Sequence, residues 1–415
     1  MRGIALEGGG SKGSFHVGAL KALAELGVDY QMVAGTSIGA INAAILISEG
    51  LESLEAIWRT VEMEDMIQGD TEILRKVMNF EFKNDTQKLK HFIVDTLKQG
   101  GLDITPFKIW LREVVDEEKV RRSDLNFGLV TVSLTDLRPL EVFIKDIPQG
   151  MLHEYIFASA NVPAFKDEKM NNKRMLDGAF YDNVPVNMLF DQGCDEVIAI
   201  RVMGLGRIKR VKKERLEKVT YIRPSEDLGK LLAVGPERSR HNILLGYYDT
   251  MRVFKGLYGT KYYLRDIVDE VNVMKVLSGF PDDALKEIKL LLGSEYPAKR
   301  MLFEELIPLI CDALKIEQTH DYSEITLRFY EFLAEEAGMD RFEIMDFDTF
   351  FNRVNAHYLS QLSHHQEPGS RVVRKLISAF PKKGVMLLSQ KNKRELLVYV
   401  YYELLAAMSR AGFSS

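Results

Sequence analysis

Apolar and polar positions follow two alternating rhythms over roughly the first half of the chain and a single rhythm after it. Short apolar runs bounded by turn residues, GIALE (Gly3–Glu7) and QMVAGTS (Gln31–Ser37), predict strands. SFHVGALKALAELG (Ser14–Gly27) and IGAINAAILISEG (Ile38–Gly50) predict helices ended by Gly27 and Gly50. Strand, helix, strand, helix is the order of a parallel α/β sheet. From Glu52 to Asp124 the pattern turns helical and charged, with a turn at GLDITPF (Gly101–Phe107) and a helix over Lys108–Val115, and reads as an insertion or cap. Strands resume at NFGLVTVSLTD (Asn126–Asp136), PLEVFIKD (Pro139–Asp146), KRMLDGAF (Lys173–Phe180), DEVIAIRV (Asp195–Val202) and VTYIRPS (Val219–Ser225). Beyond Tyr262 strand signals vanish, and ALKEIKLLLG, MLFEELIPLICDALK, ITLRFYEFLAEEAG and FFNRVNAHYLSQL repeat at helical spacing. The expected organisation is an α/β domain over 1–260, with its cap at 52–124, and an α-helical region over 261–415.

Composition adds exclusions. With 415 residues, 46% of them hydrophobic, the chain can bury a large core. Fifty-five Lys and Arg against 60 Asp and Glu give a net charge of -5, which offers no electrostatic basis for a nucleic-acid partner. Two cysteines, Cys194 and Cys311, far apart and in apolar surroundings, argue for a reducing compartment rather than a disulfide framework. MRGIALEGGG has no signal-like apolar run, so a cytoplasmic location is the expectation. The longest apolar stretch, Leu396–Met408, is interrupted by Glu403 and falls short of the roughly 18 residues a membrane span needs. It reads as a core or interface helix.

Candidate chemistry begins at EGGGSKGS, where a strand breaks into glycines and re-enters as a helix. Such a loop aims N–H groups at an anion. A Walker loop needs Lys directly before Ser or Thr, and here Gly13 separates Lys12 from Ser14. Gly8, Gly10 and Gly13 do fit G-x-G-x-x-G, but the acid a dinucleotide site needs after the second strand is replaced by Gly35-Thr36-Ser37-Ile38-Gly39. That pentad has the pattern of a nucleophile elbow, with Ser37 on a strained strand-to-helix turn and Gly35 and Gly39 clearing the backbone approach. Ser37 as a plain helix cap is the competing reading. Adjacent parallel strands would place the loop amides beside Ser37, where they form an oxyanion hole.

A serine nucleophile needs a base, and the residues alone leave it open. Ser37, Asp177 and His241 satisfy the α/β-hydrolase order, yet only one strand and one helix precede Ser37, and His241 falls mid-helix. His16 follows the glycine loop on an apolar helix and reads more simply as a packed imidazole. Asp177 ends an apolar strand just before Gly178; as a carboxylate it needs desolvation or a shared hydrogen bond to act as base.

GGGSKG, GTSIG and DGA in this order, with ASANVPAF (158–165) and DGAFYDNVP (177–185) around them, resemble the patatin-like phospholipases of the bacterial type. The resemblance covers about residues 1–260. It implies a three-layer α/β/α domain with a mainly parallel sheet, a Ser37–Asp177 dyad, and an oxyanion hole in Gly8, Gly9, Gly10, Ser11, Lys12 and Gly13. Lys12 stands where the family often has arginine, and DGA where it often has DGG. The implied activity is that of a serine esterase of the phospholipase A or lysophospholipase kind, cleaving acyl esters of lipids without a cofactor or metal. His357, His364 and His365 read as a solvated turn rather than a ligand cluster.

Met63, Met66, Met78 and Trp110 could line an acyl channel or fill a helical core. The basic run Arg207–Lys218 suits an anionic lipid surface or a solvated loop. Partners left open are the lipid ester substrate, a peripheral membrane contact and a homo-oligomer formed through the helical region. A catalytically idle scaffold whose helices bind a protein is the alternative to an enzyme.

Overall fold

The computed structural model describes residues 1–62, 103–163, 165, 169–170, 172–231, 235–317, 320–363 and 388–410. They belong to two compact units, Met1–Lys255 and Gly256–Ser415. In the first, the chain order is β1 (Arg2–Leu6), a 3-10 turn (Gly10–Gly13), α1 (Ser14–Glu25), β2 (Met32–Thr36), α2 (Ile38–Thr60), α3 (Thr105–Val114) and α4 (Glu117–Arg122). There follow β3 (Asn126–Ser133), β4 (Arg138–Phe143), α5 (Leu152–Ser159), β5 (Lys169–Met170), β6 (Lys173–Asp177), α6 (Val186–Asp191), β7 (Glu196–Ile200), β8 (Val219–Ile222) and α7 (Pro236–Lys255).

Five strands run parallel in the order β3-β2-β1-β7-β8. The central β1 is an unbroken buried run, Ile4, Ala5 and Leu6, because both faces of the sheet are covered. Ala5, Ala34 and Ala199 face α6, which lays Val186, Met188 and Leu189 over them. Leu6, one residue on, points to the opposite face. There α2 comes so close that a Cβ on Gly39 would sit 2.2 Å from the Leu6 carbonyl oxygen. This is the expected mainly parallel sheet with helices on both faces.

The antiparallel strands decide where the chemistry can occur. β4 occupies one edge of β3 along Gly128–Ser133. The other edge is shared: β2 pairs with Asn126–Val130, and β6, running the opposite way, pairs with Thr131–Ser133. The two strands therefore approach each other end to end. Thr36 lies opposite Val130 and Asp177 opposite Thr131, so Ser37 and Asp177 are delivered to the same point by consecutive residues of β3.

On the outer layer, α1 and α7 touch backbone to backbone. A Cβ on Gly18 would lie 1.8 Å from the Ile243 carbonyl oxygen, and one on Gly246 2.1 Å from that of Phe15. Gly18→Ala, which in an exposed helix would gain about 1 kcal/mol from propensity, is instead expected to destabilise by about 1–3 kcal/mol through overpacking. The urea midpoint of the variant, with its m-value unchanged, measures this.

Two details depart from the periodicity. Gly50 (φ 84, ψ 171) interrupts helical geometry, but helix resumes to Thr60 because Leu54 and Trp58 are needed in the core, the indole N–H donating to Asn42 Oδ1 at 2.9 Å. Of the expected cap at 52–124, residues 63–102, with Met63, Met66 and Met78, lie outside the described residues. Trp110 on α3 stacks on Phe107, which meets Phe157 edge-on. The basic run is tied down in part, Lys209 to Glu141 at 3.0 Å and Arg215 to Asp191 at 2.7 Å.

The second unit is helical: α8 (Glu270–Gly279), α9 (Asp282–Leu292), α10 (Ala298–Met301), a π turn (Leu302–Leu306), α11 (Ile307–Leu314), α12 (Tyr322–Glu336), α13 (Phe347–Ser363) and α14 (Gln390–Arg410). It also holds one two-residue parallel pair, β9 (Tyr263–Leu264) with β10 (Ile344–Met345), where no strand was expected; two residues are too few to carry a period. Glu331 of α12, 2% exposed, accepts the amides of Thr260, Lys261 and Tyr262 and so fastens the entering chain. α14 is a core helix, with Leu396 and Leu397 fully buried. Among the described residues no helix is long and apolar enough to cross a membrane. His357 sits on α13 beside Gln361 rather than in a turn, and His364 and His365 lie outside the described residues. Cys194 and Cys311 are buried free thiols.

Candidate active site

The carboxyl ends of β1 and β2 bring the glycine loop and Ser37 side by side. Ser37 has φ 54 and ψ -123, a conformation costly for any residue with a Cβ. Gly35 and Gly39 make the turn possible, since a Cβ on Gly35 would fall 2.2 Å from the Gly39 carbonyl carbon. Although Ser37 precedes α2, its side chain makes no capping bond. Its hydroxyl instead lies close enough to the Asp177 carboxylate to favour the ionised form. The capping reading is thereby displaced by the end-on meeting of β2 and β6.

Asp177 is 2% exposed. Its Oδ1 accepts the Ala179 amide at 2.8 Å, and its own amide donates to the Asn161 carbonyl at 2.9 Å. Burial pushes its pKa up to about 6, while the Ala179 amide and Ser37 hydroxyl pull it back. Gly178 follows of necessity: a Cβ there would lie 2.2 Å from the Val130 carbonyl oxygen.

No imidazole comes between the two. His241 bonds to Glu226 through Nε2. His16 is fully buried, pairs with Asn42 through Nδ1 at 3.1 Å, and is pushed down to about 3 by burial, so it stays neutral.

The loop amides are not equivalent. Gly8 N–H donates to the Asn183 carbonyl at 3.1 Å, Ser11 N–H to that of Leu231 at 2.8 Å, and Lys12 N–H to that of Gly9 at 3.3 Å. Those of Gly9 and Gly10 have no acceptor among the described residues. Gly10 adopts φ 56. Gly13 closes the 3-10 turn that leads into α1, whose positive end faces the loop. The Lys12 ammonium donates to the Met203 carbonyl at 3.3 Å.

Several supporting residues are not singled out by the sequence, although Ser159, Asp182 and Asn183 lie in the segments that resemble the family. Asn183 donates through Nδ2 to the Gly8 carbonyl at 3.0 Å, gripping Gly8 from both sides. Ser159 Oγ accepts the Ser37 amide at 3.0 Å. Fully buried Glu7 binds the Arg201 guanidinium at 2.9 and 3.1 Å and accepts the amides of Val202 and Met203. This pins the segment whose Gly204 lies against the Gly8 carbonyl, where a Cβ would come within 1.8 Å. Asp182, also buried, has its pKa pushed up to about 6 by burial. Among the described residues no group of three or more His, Cys, Asp or Glu is placed to hold a metal ion.

With this geometry in view, residues 4–190 match the family described as "Patatin-like phospholipase". The chain is 28% identical over 204 residues to patatin-like phospholipase domain-containing protein 6 of Homo sapiens and 24% identical over 202 residues to protein 7 of that series in Mus musculus. Each match covers 48% of this chain and 13% of the relative, so the chain spans only a small part of the length of those curated relatives. Among solved structures it is similar to VipD from Legionella pneumophila, at 15% identity and a TM-score of 0.39 over 97% of this chain and 91% of that one.

Proposed function

Residues 4–190 are a patatin-like phospholipase domain, and from that premise we propose that the chain is a lipid acyl hydrolase working through Ser37 and Asp177. The observation that carries the proposal is the meeting of Ser37, on its strained turn, with the buried Asp177 carboxylate at the end-to-end approach of β2 and β6, beside two amides without an acceptor among the described residues.

Ser37 Oγ attacks the ester carbonyl carbon as its proton passes to Asp177. The carbonyl oxygen becomes an oxyanion, which the Gly9 and Gly10 amides receive; each such donor is typically worth about 2.7–4 kcal/mol of barrier. The tetrahedral intermediate collapses, the ester C–O bond breaks, and Asp177 returns its proton to the leaving alcohol. Water then repeats the sequence on the acyl-enzyme: Asp177 takes its proton, the fatty acid departs, and Ser37 recovers its hydrogen. A pKa near 6 suits this exchange, since the carboxylate is ionised at neutral pH yet basic enough to share a proton.

The test combines covalent capture with turnover. An alkyl fluorophosphonate is expected to add one phosphonyl group to the full chain at Ser37, and none to Ser37→Ala. Wild type and His241→Ala are expected to hydrolyse a graded series of aryl esters equally well, and Ser37→Ala none of them, with chelator present throughout. Absence of both labelling and turnover in wild type would favour the idle scaffold. Loss in His241→Ala would replace the dyad with a triad.

A further inference from the structure

We propose that the helical unit binds one uncharged single-chain lipid, a long alkyl or acyl chain with a hydroxyl or ester head, in a deep apolar pocket lined by its own helices. This goes beyond the hydrolase reading and does not depend on it.

A space of about 670 Å³ lies between α8, α11, α12, α13, α14 and the π turn. Its walls include residues of the unit's core: Leu306 is 2% exposed, Ile310 8% and Val400 1%. The space therefore reaches from the surface of the unit down to its core. A recess walled this largely by apolar side chains gains by covering them with an apolar ligand in place of water. The volume falls within the roughly 300–1,000 Å³ of small-molecule sites. Its mouth is open to solvent, where Val276 and Asp348 are exposed, and its floor is formed by the core residues.

The polar groups narrow the class. Among the described lining residues there is no lysine, arginine or histidine, and the one carboxylate, Asp348, is exposed at the first turn of α13. A fatty-acid carboxylate or a phosphate would therefore enter without a counter-charge, at a large desolvation cost. Inside, Tyr330, Tyr401 and Asn355 form one neutral cluster: the Tyr401 hydroxyl donates to Asn355 Oδ1 and lies 3.4 Å from that of Tyr330. Neutral donors and acceptors at the end of an apolar space suit a hydroxyl or an ester carbonyl.

The experiment uses the full chain carrying Ser37→Ala, so that no residual acyl-ester turnover releases competing lipid, and the probe is 1-O-hexadecylglycerol, an ether that acyl hydrolysis cannot cleave, delivered from cyclodextrin. Native mass spectrometry is expected to show one molecule bound per chain, with hexadecanoate at least tenfold weaker. Ile310→Trp and Ile325→Trp, which fill the space from two helices, are each expected to weaken binding at least tenfold while the helical circular-dichroism signal and melting stay cooperative. Tyr401→Phe is expected to weaken 1-O-hexadecylglycerol and leave hexadecane binding unchanged. No binding to the parent protein, binding indifferent to both Trp variants, or hexadecanoate bound as tightly would each overturn the proposal. So would concentration-dependent dimerisation abolished by Ile310→Trp, which would assign the space to a second copy of the chain.

Discussion

Asp177→Asn is expected to lower kcat/KM for ester hydrolysis by about 10²–10⁴, the usual weight of general-base catalysis, and at the same time to make the protein more stable at neutral pH. Both effects come from one carboxylate. In the wild type, activity should rise about tenfold per pH unit below pH 6 and level off above it, because the base must be ionised and its pKa is about 6. The variant should show no such limb. For stability the sign runs the other way. The folded pKa lies above the ordinary value of 3.8 for aspartate, so the folded state holds a proton that the unfolded chain gives up between about pH 4 and pH 6. The stabilising contribution is complete below about pH 4 and is lost as pH rises through about 6.

Asparagine keeps an oxygen for the Ala179 amide and turns an N–H₂ toward Ser37 without carrying charge. The advantage over wild type should therefore be absent at pH 4, grow to about pH 6, and reach about 3 kcal/mol at pH 7 from a shift of roughly two units. For a unit of this size that is about 6–12 °C in Tm. Melting curves of both proteins from pH 4 to 8 check the sign directly. A variant that is inactive and also less stable at pH 7 would mean that Asp177 is held by a charge interaction and not merely buried.

How far the sequence leads depends on the range of the information. The loop at Gly8–Gly13, the turn at Ser37 and the strand ending at Asp177 are local patterns, each declared within about ten residues, and all three were legible as candidates. The continuous apolar runs at Ile4–Leu6 and at their counterparts in β2 and β7 likewise announced strands of a parallel α/β sheet. What no local pattern contains is register. That β6 runs antiparallel on the edge of β3 already used by β2 is a relation among three distant segments, and it brings Ser37 to Asp177. The same limit hid Glu7, whose partner Arg201 is 194 residues away. Asn183 and Ser159 act through single side-chain bonds to backbone, which leave no periodicity. In the helical unit, periodicity located the helices but not the cavity, because a residue that faces a space and one that faces a neighbour read alike.

Glu7→Ala is the variant expected to damage the fold most. Breaking a buried ion pair by removing one partner typically costs about 3–5 kcal/mol, and here the Arg201 guanidinium, 11% exposed, would be left without its carboxylate. The Val202 and Met203 amides would lose their acceptor as well. A fall in Tm on the order of 10 °C follows for a unit of this size. Glu7→Met combined with Arg201→Met should be less damaging than Glu7→Ala alone, since no charge remains buried; thermal melts of the single and double variants give the coupling.

The pair also bears on chemistry. Glu7 immediately precedes the loop whose Gly9 and Gly10 amides are proposed to meet the oxyanion, and it holds the segment that packs on the Gly8 carbonyl. Glu7→Gln, which preserves shape and one acceptor, should lower kcat with little change in KM at temperatures where the variant is fully folded. Loss confined to kcat is what a misplaced oxyanion donor produces, because the interaction exists only in the transition state. A rise in KM at unchanged kcat would instead give Glu7 a role in holding substrate, and an unchanged enzyme with a lowered Tm would reduce it to a strut beneath the sheet.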